Sequence, residues 1–230
     1  MRKYIDRVVG LAKSSTAKDT YILFGGNLFA AFLGFVFTLI VARALSVEDF
    51  GVLSAATNLI VIVSSLSDLG ISSGLISFAA SEFSKGNTSK AYEYAKAAFN
   101  IKVLATLPLV LFLVLFAPFV ARNWLATGDK TVSYWIAAIS FLAVVWGFLP
   151  SILQARKKFF QSVLIDISLS LPKAVIPYLL LMAGLLSIGS SLAAFTISVA
   201  IAGVVSACRI REPLASRSTR APEIPFTWPR

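Results

Sequence analysis

Apolar residues along this chain gather into six long runs separated by short polar stretches: Tyr21 to Ala42, Val52 to Ile76, Phe99 to Ala121, Tyr134 to Leu153, Ser162 to Gly184 and Ile188 to Cys208. A helix needs about 20 mainly apolar residues, at about 1.5 Å rise each, to cross the hydrocarbon core of a bilayer. Each run meets that length, and none shows the two-residue alternation of a membrane β-strand. The pattern predicts an all-α integral membrane protein, a bundle of six transmembrane helices within residues 21–208. Residues 1–20 form a polar, weakly amphipathic lead-in. Residues 209–230 form a basic tail in which Pro213, Pro222, Pro225 and Pro229 stand among Ser and Arg, a composition that predicts disorder.

Composition agrees, with 57% hydrophobic and 14% charged residues and a mean hydropathy of +0.82. A net charge of +10 would also suit a nucleic-acid binder, so the placement of the charge decides. Of 21 Lys and Arg, 16 fall in the lead-in, the loops after the second and fourth runs, and the tail; the opposite loops hold only Arg43, Arg122 and Lys130. This asymmetry places both termini in the cytoplasm and makes the basic charge a topology signal, with no nucleic-acid partner. The lead-in lacks the short apolar core and cleavage pattern of a secretory signal peptide.

The residues needed for common catalytic chemistries are missing or misplaced. There is no histidine, and the one cysteine, Cys208, ends the last run, so His-based zinc sites, Ser-His-Asp triads and internal disulfides are excluded. Gly128-Asp129-Lys130-Thr131 lacks the upstream glycine of a phosphate-binding loop. Most carboxylates lie in loops or tails, and none form a cluster suited to a metal. No catalytic residue, metal or cofactor is expected.

Polar residues inside the runs are costly there and face a bundle interior or a hydrated cavity. Asn27 and Thr38 lie in the first run; Thr57, Asn58, Ser64 and Asp68 lie in the second, where Thr57, Ser64 and Asp68 share a face. Asn27 suits either helix packing or cavity lining. Lys102, near the start of the third run, is expected to snorkel to the headgroups, and Pro108 and Pro118 to kink that helix. The fifth run places Asp166 and Lys173 seven residues apart on one face, with Pro172 and Pro177 bracketing the lysine and freeing backbone carbonyls. That pair serves either a cationic ligand pathway or mutual neutralisation.

Ala42-Arg43-Ala44-Leu45 through Phe50-Gly51-Val52-Leu53-Ser54 resembles the turn after the first span of Wzx-type polysaccharide (O-antigen) flippases, within the multidrug/oligosaccharidyl-lipid/polysaccharide exporter superfamily. Asp68-Leu69-Gly70-Ile71 and Ile152-Leu153-Gln154-Ala155 are similar to two further segments of that family. Physically, Glu48 and Asp49 suit a helix N-terminus, Gly51 suits close packing of the first two spans, and Arg43 suits an interface anchor or a ligand contact.

The resemblance implies a carrier in the bacterial inner membrane that moves an undecaprenyl-diphosphate-linked oligosaccharide by alternating access, without covalent chemistry. Lys173 is then the candidate for the diphosphate, with Asp166, Asn27, Asn58, Arg43 and Tyr178 as further cavity candidates. Asp68, Gly70, Gly51, Pro172 and Pro177 are candidates for structural or gating roles. Family members are usually two six-helix lobes, so this chain resembles one lobe, the N-terminal one, and is expected to pair with a second lobe or with itself. A multidrug or cation antiporter of the same superfamily and a non-transporting scaffold for glycan assembly are the alternatives.

Overall fold

Eight α-helices run through residues 15–215, the part of the chain that the computed structural model describes, with side chains described for 17–208. They are α1 (Ser15–Ala44), α2 (Val47–Asp68), α3 (Ile71–Ser84), α4 (Thr88–Leu115), α5 (Ala117–Asn123), α6 (Thr131–Ala155), α7 (Phe159–Met182) and α8 (Ile188–Ala215). Six of them, all but α3 and α5, are long and apolar enough to cross a membrane, and no strand occurs among the described residues. The protein is a helical, multi-pass membrane bundle. The last helix runs on to Ala215, beyond the expected end at Cys208. The rest of the tail, and lead-in residues 1–14, lie outside the described residues.

Helix α6 is the centre of the bundle. It packs against α2, α3, α4, α5, α7 and α8, and half of its apolar window is buried, against 17% for α1. Around its first half, Leu53, Ile60, Leu113, Ile136, Ile139, Leu192 and Val199 form one apolar core contributed by α2, α4, α6 and α8. Ser133 spends its hydroxyl on the carbonyl of Leu113 at 2.8 Å, so a polar group in that core is satisfied across two helices.

Two expected spans are cut differently. The second run breaks at Leu69 and Gly70, both in the left-handed region (φ 40 and 81), and α3 starts as a separate helix. Glycine adopts that conformation freely, whereas a β-carbon there costs about 1–2 kcal/mol, so Gly70 carries the break and Leu69 is strained by it. The third run starts earlier, at Thr88, and stops at Leu115. Pro118 does not kink it. The proline occupies the first turn of α5, where its missing N–H leaves no hydrogen bond unmade.

Helix α4 has 28 residues, about 42 Å of helix, more than the hydrocarbon thickness requires. Its first turns pack on α3 through Ala91, Ala95 and Ala98, whose spacing puts small side chains on one face and lets Leu75, Ala79 and Phe148 approach. Arg156, at the end of α6, lies 5.5 Å from the Phe83 ring and 6.0 Å from the Tyr92 ring, tying this hairpin to the central helix by cation–π contacts.

Gly51 does not bring the first two spans together. A β-carbon added there would meet open space. The close approach is made by Gly26, where an added β-carbon would lie 2.3 Å from Cγ1 of Val163, so α1 packs along α7 rather than α2. The α1–α2 turn does follow helix-start chemistry: Ser46 Oγ accepts from the Asp49 amide at 3.1 Å, and Glu48 and Asp49 fill the first turn.

Candidate functional site

A cleft of about 400 Å³, the main one in that residues of four helices wall it, lies between α2, α6, α7 and α8. Its walls are mostly apolar, with Ile60, Trp146, Leu169 and Phe195 among them, and its polar groups are Ser64, Ser65, Asp68, Asp166 and Ser206. The lining falls in the second half of α2 and of α6, early in α7, and between Phe195 and Ser206 in α8. The cleft therefore occupies the half of the bundle nearer the basic α6–α7 loop. Gly203 shapes one wall, because an added β-carbon would sit 2.6 Å from the Trp146 ring; without one, the indole lies against α8 and faces the cleft.

Asp68 stands at the rim with its charge already matched. Lys102 of α4 is 6% exposed, and its Nζ lies 2.6 Å from Asp68 Oδ1 and donates to Ser72 Oγ at 2.8 Å, while Ser72 donates to the same Asp68 oxygen at 2.6 Å. The ammonium therefore points into the bundle and does not snorkel to the headgroups. A carboxylate at the C-terminal end of α2 is a closer partner than water, and the partial negative charge of that helix end adds to the attraction. Asp68 and Ser72 are four residues apart on either side of the Leu69–Gly70 break, so the triad clamps α2, α3 and α4 at that break.

Asp166 faces the same cleft and differs in one respect: among the described residues no hydrogen bond or ion pair reaches its carboxylate. Lys173 is not its partner. Seven residues place both groups on one face of α7 but about 10 Å apart along it, too far for contact. The Lys173 ammonium instead lies 3.9 Å from the centre of the Phe195 ring and 5.1 Å from that of Phe37. Lys173 is not in the cleft wall, but Phe195 is, so one aromatic ring separates the lysine from the cleft.

The other predicted residues are dispersed. Asn27 and Arg43 are exposed, as is Tyr178. Asn58 lines a separate groove of about 440 Å³ with Leu59, Trp124 and Leu125. Pro177 is fully buried and Pro172 partly so, both inside an unbroken α7.

A family model described as polysaccharide biosynthesis protein matches residues 16–224. The chain belongs to this polysaccharide biosynthesis family. Comparison with curated proteins and with solved structures gives no match. The matched segment includes all six membrane-spanning helices, and so the whole of the cleft built by this family member.

Lys102, Ser72, Phe37 and Phe195 are site residues that sequence reasoning did not select. The Asp68–Ser72 spacing of four residues was visible, but Lys102 reaches them only through the packing of α4. Phe37 and Phe195 look like any apolar residues of a span.

Proposed function

We propose that this chain is a transport body of the bacterial inner membrane that moves an undecaprenyl-diphosphate-linked oligosaccharide between leaflets by alternating access. Both termini are cytoplasmic in this reading, which rests on the asymmetry of basic residues. Translocation forms no covalent bond and calls for no catalytic residue or cofactor. A second six-helix body, or a second copy, completes the machine, because alternating access requires two bodies about one site.

The observation that carries this reading is the state of Lys173. Its ammonium is held deep in a span by the faces of Phe37 and Phe195 with no carboxylate against it. Ring faces offset only part of the cost of a buried cation, on the order of 2 kcal/mol when desolvated. A phosphate arriving beside Phe195 supplies the missing counter-charge. The mostly apolar cleft suits the lipid and the ring faces of sugars, and Ser64 and Ser65 offer hydroxyls for hydrogen bonds.

In a flippase-deficient strain supplied with the complete transporter, Lys173→Ala is expected to abolish surface polysaccharide at matched protein level and Lys173→Arg to retain part of it. Full activity of Lys173→Ala defeats this reading. A cation-coupled exporter of the same superfamily is favoured by the unpaired carboxylate of Asp166 in the cleft wall. Loss of ion-dependent transport in Asp166→Asn, with Lys173→Ala silent, selects that alternative.

A further inference from the structure

We propose that the groove between the start of α1 and the α6–α7 turn is a binding site for the headgroup of an anionic glycerophospholipid. The groove is about 390 Å³ and separate from the main cleft. Lys18, Lys157 and Lys158 line it, with Asp19, Gln161, Phe159 and Phe160.

Its position is fixed by two local structures. The Gly26–Val163 approach holds α1 and α7 side by side, and Lys18, eight residues or about 12 Å back from Gly26, reaches past the α7 start to the turn that carries Lys157 and Lys158. The α6–α7 turn closes by two hydrogen bonds, from the Lys158 amide to the Leu153 carbonyl at 2.8 Å and from the Lys157 amide to the Gln154 carbonyl at 2.9 Å. This is the Schellman arrangement, whose left-handed position is usually glycine. Here that position is Lys157, at φ 57, so the turn presents two consecutive lysines on the groove.

The chemistry of the walls selects the ligand. Three lysines against one aspartate leave a net positive groove, which favours an anionic headgroup over a zwitterionic one. The first amides of α7 have no carbonyl ahead of them in the helix, and Lys158 makes no side-chain cap, so the helix start adds to the positive potential. The Gln161 side-chain oxygen is buried without a hydrogen-bond partner, and Asp19 lies on the same wall. Both are acceptors, which a phosphate does not satisfy and the hydroxyls of a glycerol headgroup do. The groove sits at the ends of the Ala17–Ala44 and Phe159–Met182 spans, the depth of lipid headgroups, and Phe160 is 61% exposed beside it, where acyl chains begin. The inference does not depend on what the main cleft carries.

The test uses the full chain purified in micelles containing equal amounts of phosphatidylglycerol and phosphatidylcholine, with retained lipid read by native mass spectrometry. The wild-type chain is expected to retain phosphatidylglycerol selectively. Replacing Lys18, Lys157 and Lys158 by Gln should lower that retention about ten-fold, while replacing Lys85, Lys90 and Lys96 by Gln, the same change of net charge elsewhere, should leave it unchanged. Equal losses in the two triple variants would mean a diffuse basic surface and overturn the site. Displacement of the lipid by millimolar inorganic phosphate or glycerol phosphate would assign the groove to a soluble anion and overturn the lipid. If the first triple variant fails to fold, Lys157→Gly, which suits the left-handed turn, is expected to fold well and lose about three-fold in retention; wild-type retention there counts against the proposal.

Discussion

The ammonium of Lys102 and the carboxylate of Asp68 meet at 2.6 Å from different helices, at the point where the second span breaks. The lysine is almost fully buried and the aspartate is partly open to the main cleft, so the pair joins α4 to the candidate site. Ser72 completes the link by bonding to both.

Removing the aspartate leaves a buried ammonium alone. Asp68→Asn is expected to destabilise the folded chain by about 3 kcal/mol, Lys102→Met, which leaves a partly open carboxylate, by less, and the Asp68→Asn/Lys102→Met double variant by clearly less than the two losses together. Denaturant unfolding in detergent micelles, analysed as a double-mutant cycle, measures this coupling. Strictly additive losses would show that the two charges do not support each other.

Helix packing should respond to one glycine and ignore another. Gly26→Ala forces a β-carbon onto Val163 and should cost about 1–3 kcal/mol, with much of the loss recovered by adding Val163→Ala. Gly51→Ala meets open space inside a helix and is expected to be neutral or to stabilise by about 0.5–1 kcal/mol. Thermal aggregation midpoints of the purified variants check both, and a harmless Gly26→Ala would refute the α1–α7 register.

The helix break should be sensitive to the backbone alone. Gly70→Ala places a β-carbon in a left-handed conformation and is expected to destabilise by about 1 kcal/mol, while Leu69→Gly relieves the same strain next door. Leu69 is exposed, so little packing is lost in that exchange. In unfolding experiments, a loss for Gly70→Ala with a gain for Leu69→Gly supports the break; the reverse pattern, as inside a continuous helix, argues that α2 and α3 join as one.

Orientation is accessible to chemical labelling. In a Cys208→Ser background, a cysteine at Ser46 is expected to react with a membrane-impermeant thiol reagent in intact cells, and one at Thr88 only after the membrane is opened. The reverse pattern would invert the protein and move the main cleft to the outer half.

The sequence by itself determined the solvent of this protein, its number of spans and, for four of them, their approximate ends, because crossing a bilayer is a local requirement on length and apolarity that each segment satisfies alone. It also determined the α1–α2 turn, whose cap and acidic first turn act within four residues. The Leu69–Gly70 break was less legible: Asp68-Leu69-Gly70-Ile71 stood out as a motif, yet the apolar run continues through it, and hydropathy does not report a change of backbone conformation. What only the tertiary structure decided are the pairings between helices. Lys102 turned inward because α4 lies beside the end of α2, Gly26 rather than Gly51 became the contact point because α1 packs on α7, and Lys173 found Phe37 and Phe195 instead of Asp166 because two groups on one helix face can still be two turns apart. A helix face can be read from spacing; what that face meets depends on which helices become neighbours, and residues far apart in the chain carry no local sign of it.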